Sequence, residues 1–221
     1  MCCLPLLAIE AVPLEGVTRQ RMLDLDRYDL VFFVSSNAAR LGLAAIESFW
    51  PQYPIGLQNF AVGPGTAAVL QVRGLDVAFP TERMTSEAML ALPALQDIAG
   101  KRALIVRGVG GREILAEGLE ARGARVDYAE LYRRLKPDYD PDQLRRLHAE
   151  CSPDRVVLSS GEAIEHLHAL FAPLDLWLRL PLAVSSPRLA EQARALGATD
   201  VAILAGATDA AIIDGLLDLF T

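Results

Sequence analysis

Four short runs of small and polar residues hold the groups that could do chemistry in this chain. Ser35, Ser36 and Asn37 end the apolar run that begins at Leu30, and Gly63–Thr66 interrupts the run after Val62. Gly108–Arg112 follows Ala103–Val106, and Ser159, Ser160 and Gly161 follow Arg155–Leu158. Each run stands between an apolar, strand-like stretch and residues at helical spacing. At such a junction hydroxyls and the free N–H groups of a helix start converge, which suits an anion. Helix capping alone accounts for any one of these serines. Four comparable turns facing one cleft would be harder to dismiss as caps than any one of them.

The obvious anions can be tested against the spacing. A dinucleotide fingerprint needs G-x-G-x-x-G at the helix start and an acid about 20 residues later. Gly108, Gly110 and Asp127 fit, but the third position is Glu113, whose carboxylate would crowd the turn and repel a pyrophosphate. No G-x-x-x-x-G-K-[ST] occurs, so a P-loop is excluded. His148, His166 and His168 have no Cys or acid cluster at ligand spacing, and the last two point to different faces of one helix. No metal and no organic cofactor are therefore expected. Cys2, Cys3 and Cys151 form an odd set without metal spacing and read as reduced thiols of a cytoplasmic protein.

These turns need a scaffold. The chain has 221 residues, 52% of them hydrophobic and 22% charged, enough for one domain or two small ones with a real core. The net charge of −7 argues against nucleic acid, although Lys101–Arg146 holds eleven basic against eight acidic residues. No apolar run is long enough to span a membrane. The start, MCCLPLLAIEAV, lacks a basic region and a cleavage site, so no signal peptide is expected. Strand-like and helix-like stretches alternate throughout. LVFFVSSN is followed by AARLGLAAIESF, and SEAMLALPAL reads as a helix capped by Thr85 or Ser86. Alternation of this kind predicts α/β architecture, with parallel sheets flanked by helices.

The second part of the chain echoes the first. VFFVSSNAARLGLAAI resembles RVVLSSGEAIEHLHAL, and FAVGPGTAAVLQVRGLDVAF resembles LAVSSPRLAEQARALGATDVAIL. Two similar domains are expected, an inserted one at 14–130 and a second at 1–13 plus 131–221. Pro137 and Pro141 interrupt the pattern where they join. LPLLAIEAVPL reads as extended, so that this segment and the one near ELYRRLKPDYD would make a two-stranded linker.

In order, FVSSNAAR, AVGPGTAAVLQVRGLDV, TSEAML, IVRGVGGREILAEGLEARGARVDYAELYRR and VVLSSGEAI are similar to segments of the uroporphyrinogen-III synthase family. The resemblance covers about Leu6 to Leu216. It implies two α/β domains with the active site in the cleft between them, and a cofactor-free cytoplasmic lyase of heme and other tetrapyrrole biosynthesis. That enzyme cyclises hydroxymethylbilane with inversion of ring D and loss of water, through a spiro intermediate. The resemblance places Tyr132 at the family's linker tyrosine, as a candidate to hydrogen-bond the leaving hydroxyl. Substrate contacts are expected at Ser35, Ser36, Asn37, Gly63, Thr66, Ser86, Arg107, Gly110, Gly111, Arg112, Ser159, Ser160 and Ser186. The Gly108–Arg112 loop would hold substrate carboxylates by its N–H groups, with no phosphate involved.

Family chains usually begin with a further strand, a short turn and a helix. Here Met1 comes immediately before the segment matching LPLLAIEAV: either the protein is a natural short form, whose second domain is expected to lack that β-α unit and any contacts from its turn, or the chain begins late. A monomer is expected, and direct handover from the preceding enzyme of the pathway is one route by which the bilane would arrive. The alternative is a non-catalytic two-lobed binding or regulatory protein derived from the same fold.

Overall fold

The computed structural model describes residues 2–219 and divides into two compact units. One comprises Ile9–Arg134, and the other joins the segment ending at Ala8 to the chain from Leu135 onward. The first unit is wider than the 14–130 expected from sequence. It takes in most of a short strand, β1 (Ala8–Ala11), and nearly all of a long one, β6 (Arg125–Leu135).

In the first unit β1 is followed by α1 (Gly16–Leu23), β2 (Leu30–Phe33), α2 (Ser36–Phe49), β3 (Gln58–Ala61) and α3 (Pro64–Gln71). Then come β4 (Val77–Ala78), α4 (Ser86–Leu90), β5 (Arg102–Gly108), α5 (Ile114–Glu120) and β6. The strands form one six-stranded sheet in the order β1-β6-β5-β2-β3-β4, with every pair from β6 to β4 parallel. Side chains alternate across it. Val31, Phe33, Leu104 and Val106 face one core with α2 residues Ala38, Leu43 and Ile46. Leu30, Phe32 and Ile105 face the other with Met89, Leu115 and Leu119 of α4 and α5. Both faces are buried, which is why β2 reads as an unbroken apolar run, LVFF.

Two local readings change. The strand before the Ser-Ser pair ends at Phe33, because Ser35 is the cap residue of α2 and Ser36 its first residue. The helix expected over SEAMLALPAL stops at Leu90 and resumes as a single 3-10 turn, Pro93–Leu95. A proline cannot donate the next helical hydrogen bond.

The second unit carries α6 (Pro141–Cys151), β7 (Val156–Leu158), α7 (Gly161–Phe171), β8 (Leu182–Val184), α8 (Pro187–Ala195), β9 (Val201–Ile203) and α9 (Asp209–Leu219). Its three strands run parallel in the order β7-β8-β9. Leu158, Leu182 and Val184 pack on Ile164, Leu167, Leu189 and Ala190 of the flanking helices. The expectation of three reduced thiols is corrected here. Cys2 and Cys151 form a disulfide with Cα atoms 6.1 Å apart, leaving Cys3 free and exposed. The opening residues lie along α6, where Tyr139 donates its hydroxyl to the Pro5 carbonyl, and this brings together thiols 149 residues apart. No helix among the described residues is long and apolar enough to cross a membrane.

Candidate active site

The first unit gathers its candidate residues at the carboxyl ends of its parallel strands, where open α/β sheets bind ligands. Ser35 stands between β2 and α2. Its extended backbone lets Oγ accept the Ala38 N–H at 3.0 Å, satisfying one of the donors a helix start leaves without a partner. Gly63 holds the same place before α3, with Pro64 at the first helical position and Thr66 buried behind it. The two helix starts lie side by side, since a Cβ added to Gly65 would stand 4.0 Å from Ser36 Oγ. The Asn37 side chain is engaged within its own helix, accepting from Arg40 at 2.6 Å. Thr85 rather than Ser86 caps α4, taking the Ala88 N–H at 3.2 Å.

Tyr132 reaches this edge through a break in the sheet. Along β6, Val126 and Tyr128 pack toward the α4–α5 core while Ala129 and Leu131 face the α2 core. Simple alternation would send Tyr132 with Tyr128. Instead Arg107 pairs with Glu130 and Gly108 with Tyr132, leaving Leu131 as an extra residue on β6. Such a bulge re-aims the side chain after it. Tyr132 therefore turns onto the α2 side, where it is 5% exposed and packs in that core. Its Oη lies 2.9 Å from Ser35 Oγ. The ring lies against the Gly108 backbone so closely that a Cβ there would stand 2.7 Å from Cε2. The Val109 N–H fixes the same residue by donating to its carbonyl at 2.7 Å.

Arg107 and the glycine loop have another arrangement. Arg107 is nearly buried and donates from Nε and Nη2 to Glu130 Oε1 at 3.2 and 3.1 Å, and from Nη1 to Glu113 Oε1 at 3.0 Å. Its guanidinium lies 3.8 Å from the centre of the Tyr128 ring, and the Tyr128 hydroxyl donates to Glu113. That bond and Arg107 hold the Glu113 carboxyl below its ordinary range. Burial, with Glu113 beside it, pushes Tyr128 up to about 12. Desolvation opposes the Arg107 charge, and the bonds to Glu113 and Glu130 more than offset it.

The loop itself turns on Gly110 and Gly111, at φ +73° and +116°, a region that only glycine enters without strain. The Gly110 N–H donates to Glu130 Oε1 at 3.2 Å, so one loop donor already holds a carboxylate, an internal one. Arg112 is exposed and carries its charge toward Glu87 of α4. Glu113, Tyr128 and Glu130 were not singled out by sequence reasoning as a group. The signal available was Tyr128 and Glu130 two apart on one strand, opposite the basic Arg107 of its neighbour.

The second unit repeats the turn geometry on a smaller sheet. Ser160 caps α7 through Ala163 N–H at 3.2 Å, and Ser186 caps α8 through Leu189 N–H at 3.4 Å. Ser159 is exposed just after β7. A cavity of about 480 Å³ in this unit, with Leu4, Leu6, Leu158, Leu167 and Phe171 among its apolar walls, is lined by none of the expected site residues. Among the described residues no three His, Cys, Asp or Glu side chains are grouped as metal ligands would be.

Parallel sheets flanked by helices, with capped helix starts and a buried tyrosine at the strand ends, place the chain in the α/β class, whose ligand sites lie at the carboxyl ends of the strands. The family model for uroporphyrinogen-III synthase HemD matches residues 1–214. The uroporphyrinogen-III synthase of Salmonella typhimurium is 42% identical over 188 residues, covering 83% of this chain and 76% of that one. The Escherichia coli enzyme is 39% identical over 187 residues, covering 81% and 74%. Among solved structures, the Helicobacter pylori synthetase superposes with a TM-score of 0.65 at 17% identity, covering 97% of this chain and 91% of that one. A mutant of the Thermus thermophilus synthase gives 0.59 at 20%, covering 98% and 87%. The chain belongs to the uroporphyrinogen-III synthase family, whose activity is that of a cyclising lyase of tetrapyrrole biosynthesis.

Proposed function

We propose that this chain cyclises hydroxymethylbilane to uroporphyrinogen III, inverting ring D and losing water, with Tyr132 as the group that assists departure of the hydroxyl. The observation that carries this reading is the placement of Tyr132. A bulge turns its ring off the alternation of β6, Gly108 leaves room for it, and Ser35 holds its hydroxyl at the strand ends. Nothing in core packing alone requires a phenol oxygen there.

The substrate is rich in carboxylates, and the helix starts suit them. The 14-residue α2 leaves the Ser36 and Asn37 N–H groups without intrahelical acceptors at its positive end. The starts of α3, α7 and α8, at Gly63–Thr66, Ser159–Ser160 and Ser186, offer the same chemistry, with Ser86, Gly110, Gly111 and Arg112 as further contacts. Arg107 acts indirectly, holding Glu130 and Glu113 under the glycine loop. Much of the work is positioning, because the azafulvene cation formed when water leaves also closes without help, to the unrearranged isomer. No cofactor takes part in this scheme. The bilane comes from the preceding enzyme of the pathway, and the chain works as a monomer. The non-catalytic alternative gains no support from the two bacterial relatives, both named as the synthase.

The test is an assay with hydroxymethylbilane that resolves product isomers I and III. Isomer III formed in proportion to added protein is expected. Isomer I alone, formed at the rate seen without protein, would overturn the assignment.

A further inference from the structure

We infer that Ser35 is a positioning residue that fixes the direction of the Tyr132 hydroxyl hydrogen, an inference that rests on the role proposed for Tyr132. A serine hydroxyl has one hydrogen to donate and two lone pairs to accept with. One lone pair of Ser35 Oγ takes the Ala38 N–H at 3.0 Å, and Tyr132 Oη lies 2.9 Å away on another side. Two arrangements fit these distances. Either the phenol donates to the serine and is spent, or the serine donates to the phenol and leaves its hydrogen free.

The helix decides between them. Ser35 Oγ sits at the N-terminus of a 14-residue helix, and its partner Ala38 N–H belongs to the first turn. Accepting that N–H polarises the serine O–H and makes it the better donor. The positive end of the helix also favours negative charge accumulating at the far end of the chain. The order is then Ala38 N–H to Ser35 Oγ, Ser35 O–H to Tyr132 Oη, and Tyr132 O–H outward. When the hydroxymethyl C–O bond breaks, its electron pair goes to the departing oxygen. That oxygen takes the phenol proton and leaves as water. The Ser35 O–H holds the phenolate that remains. The proton shed by the substrate as its ring system regains aromaticity restores the phenol, so no other reactant is needed.

Gly108 and the bulge at Leu131 serve the same alignment, since the register shift re-aims Tyr132 and its ring lies directly against the Gly108 backbone. One side chain therefore has two separable jobs. As a cap Ser35 is replaceable by glycine with little loss of stability, whereas alanine costs distinctly more. As a donor to Tyr132 it is replaceable only by another hydroxyl.

The test compares Ser35→Gly, Ser35→Thr, Tyr132→Phe and the Ser35→Gly/Tyr132→Phe double variant, each with melting temperature, KM and kcat for hydroxymethylbilane. Ser35→Gly is expected to lower kcat roughly 10-fold, with KM within about threefold, because one charge-stabilising hydrogen bond is lost from the transition state. Ser35→Thr should recover most of that loss. In the Tyr132→Phe background Ser35→Gly should change kcat by less than about twofold, as two members of one chain do not add. If Ser35→Gly keeps full kcat while Tyr132→Phe loses it, the positioning role falls and the tyrosine reading stands. Losses that multiply in the double variant would overturn the positioning role in the same way. A fully active, folded Tyr132→Phe would overturn both.

Discussion

The two units use the same local device, a strand, a serine cap and a helix, and in the first of them the cap serine also meets a tyrosine. After β2, Ser35 caps α2 and also meets Tyr132. After β7, Ser160 caps α7 by an equivalent bond. The difference lies in what flanks the strand. β2 has β5 and then β6 on one side, and it is the bulge between those two that delivers the tyrosine. Among the described residues the second sheet ends at β7 on that side. A capped helix start by itself offers no more than free N–H groups to an anion. It becomes a candidate for acid–base work when a neighbouring strand brings a titratable group to it.

The largest effect that would break this comparison is at the glycines of the two turns. Gly108→Ala places a methyl 2.7 Å from the Tyr132 ring, backed by a filled core, and is expected to cost about 1–3 kcal/mol and most of the activity. Gly161→Ala places its Cβ 2.5 Å from Gln192 Oε1, the far end of a side chain that can move aside. Its cost should stay within about 0.5 kcal/mol, with activity retained. Chemical denaturation and bilane turnover on both variants would check this.

A smaller effect separates the caps. Ser35→Ala and Ser160→Ala should each lower stability by about 1 kcal/mol. Only Ser35→Ala should also lower kcat about 10-fold. Equal kinetic losses from the two would mean that both serines act on substrate directly.

The smallest concerns alkaline pH. Tyr128 is pushed up to about 12 by burial and by Glu113, and Tyr28 to about 12 by burial and by Asp127. Raised folded-state values mean that each phenol's contribution is complete below its unfolded value of 10.0 and is lost as pH climbs toward 12. The first unit's resistance to denaturation should fall across that window, and Tyr28→Phe/Tyr128→Phe should flatten the trend. An unchanged slope in the double variant would remove the phenols from the explanation.

Much of this fold is visible in the sequence, because both faces of the first sheet are buried and its strands are therefore short apolar runs ending at turn residues. Two helices were not visible. α1 (GVTRQRML) has few apolar residues and no side-chain cap at Glu15. α6 hides behind Pro141, which reads as an interruption but stands at the first helical position, with Asp140 Oδ1 accepting from Asp142 and Gln143. The candidate site was legible as positions, not as partnerships. Glu113 looked like an obstacle to a phosphate, and its ion pair with Arg107 requires knowing that the turn folds back over β5. The Ser35–Tyr132 contact depends on an extra residue at Leu131, and a one-residue change of register leaves no trace in composition or periodicity.

The central claim is that the first unit's tyrosine drives loss of water while the second unit's serines only hold substrate. Single-turnover rates of isomer III formation on Tyr132→Phe and Ser160→Gly, with melting temperatures on the same preparations, test it most directly. A fall of roughly 10–100-fold is expected for Tyr132→Phe, with its fold intact and isomer III still the product. Ser160→Gly should keep its rate within about twofold once substrate is saturating, since a lost ground-state contact raises KM and leaves kcat. A Tyr132→Phe protein that turns over at the original rate, or a Ser160→Gly protein that fails as severely, would contradict it.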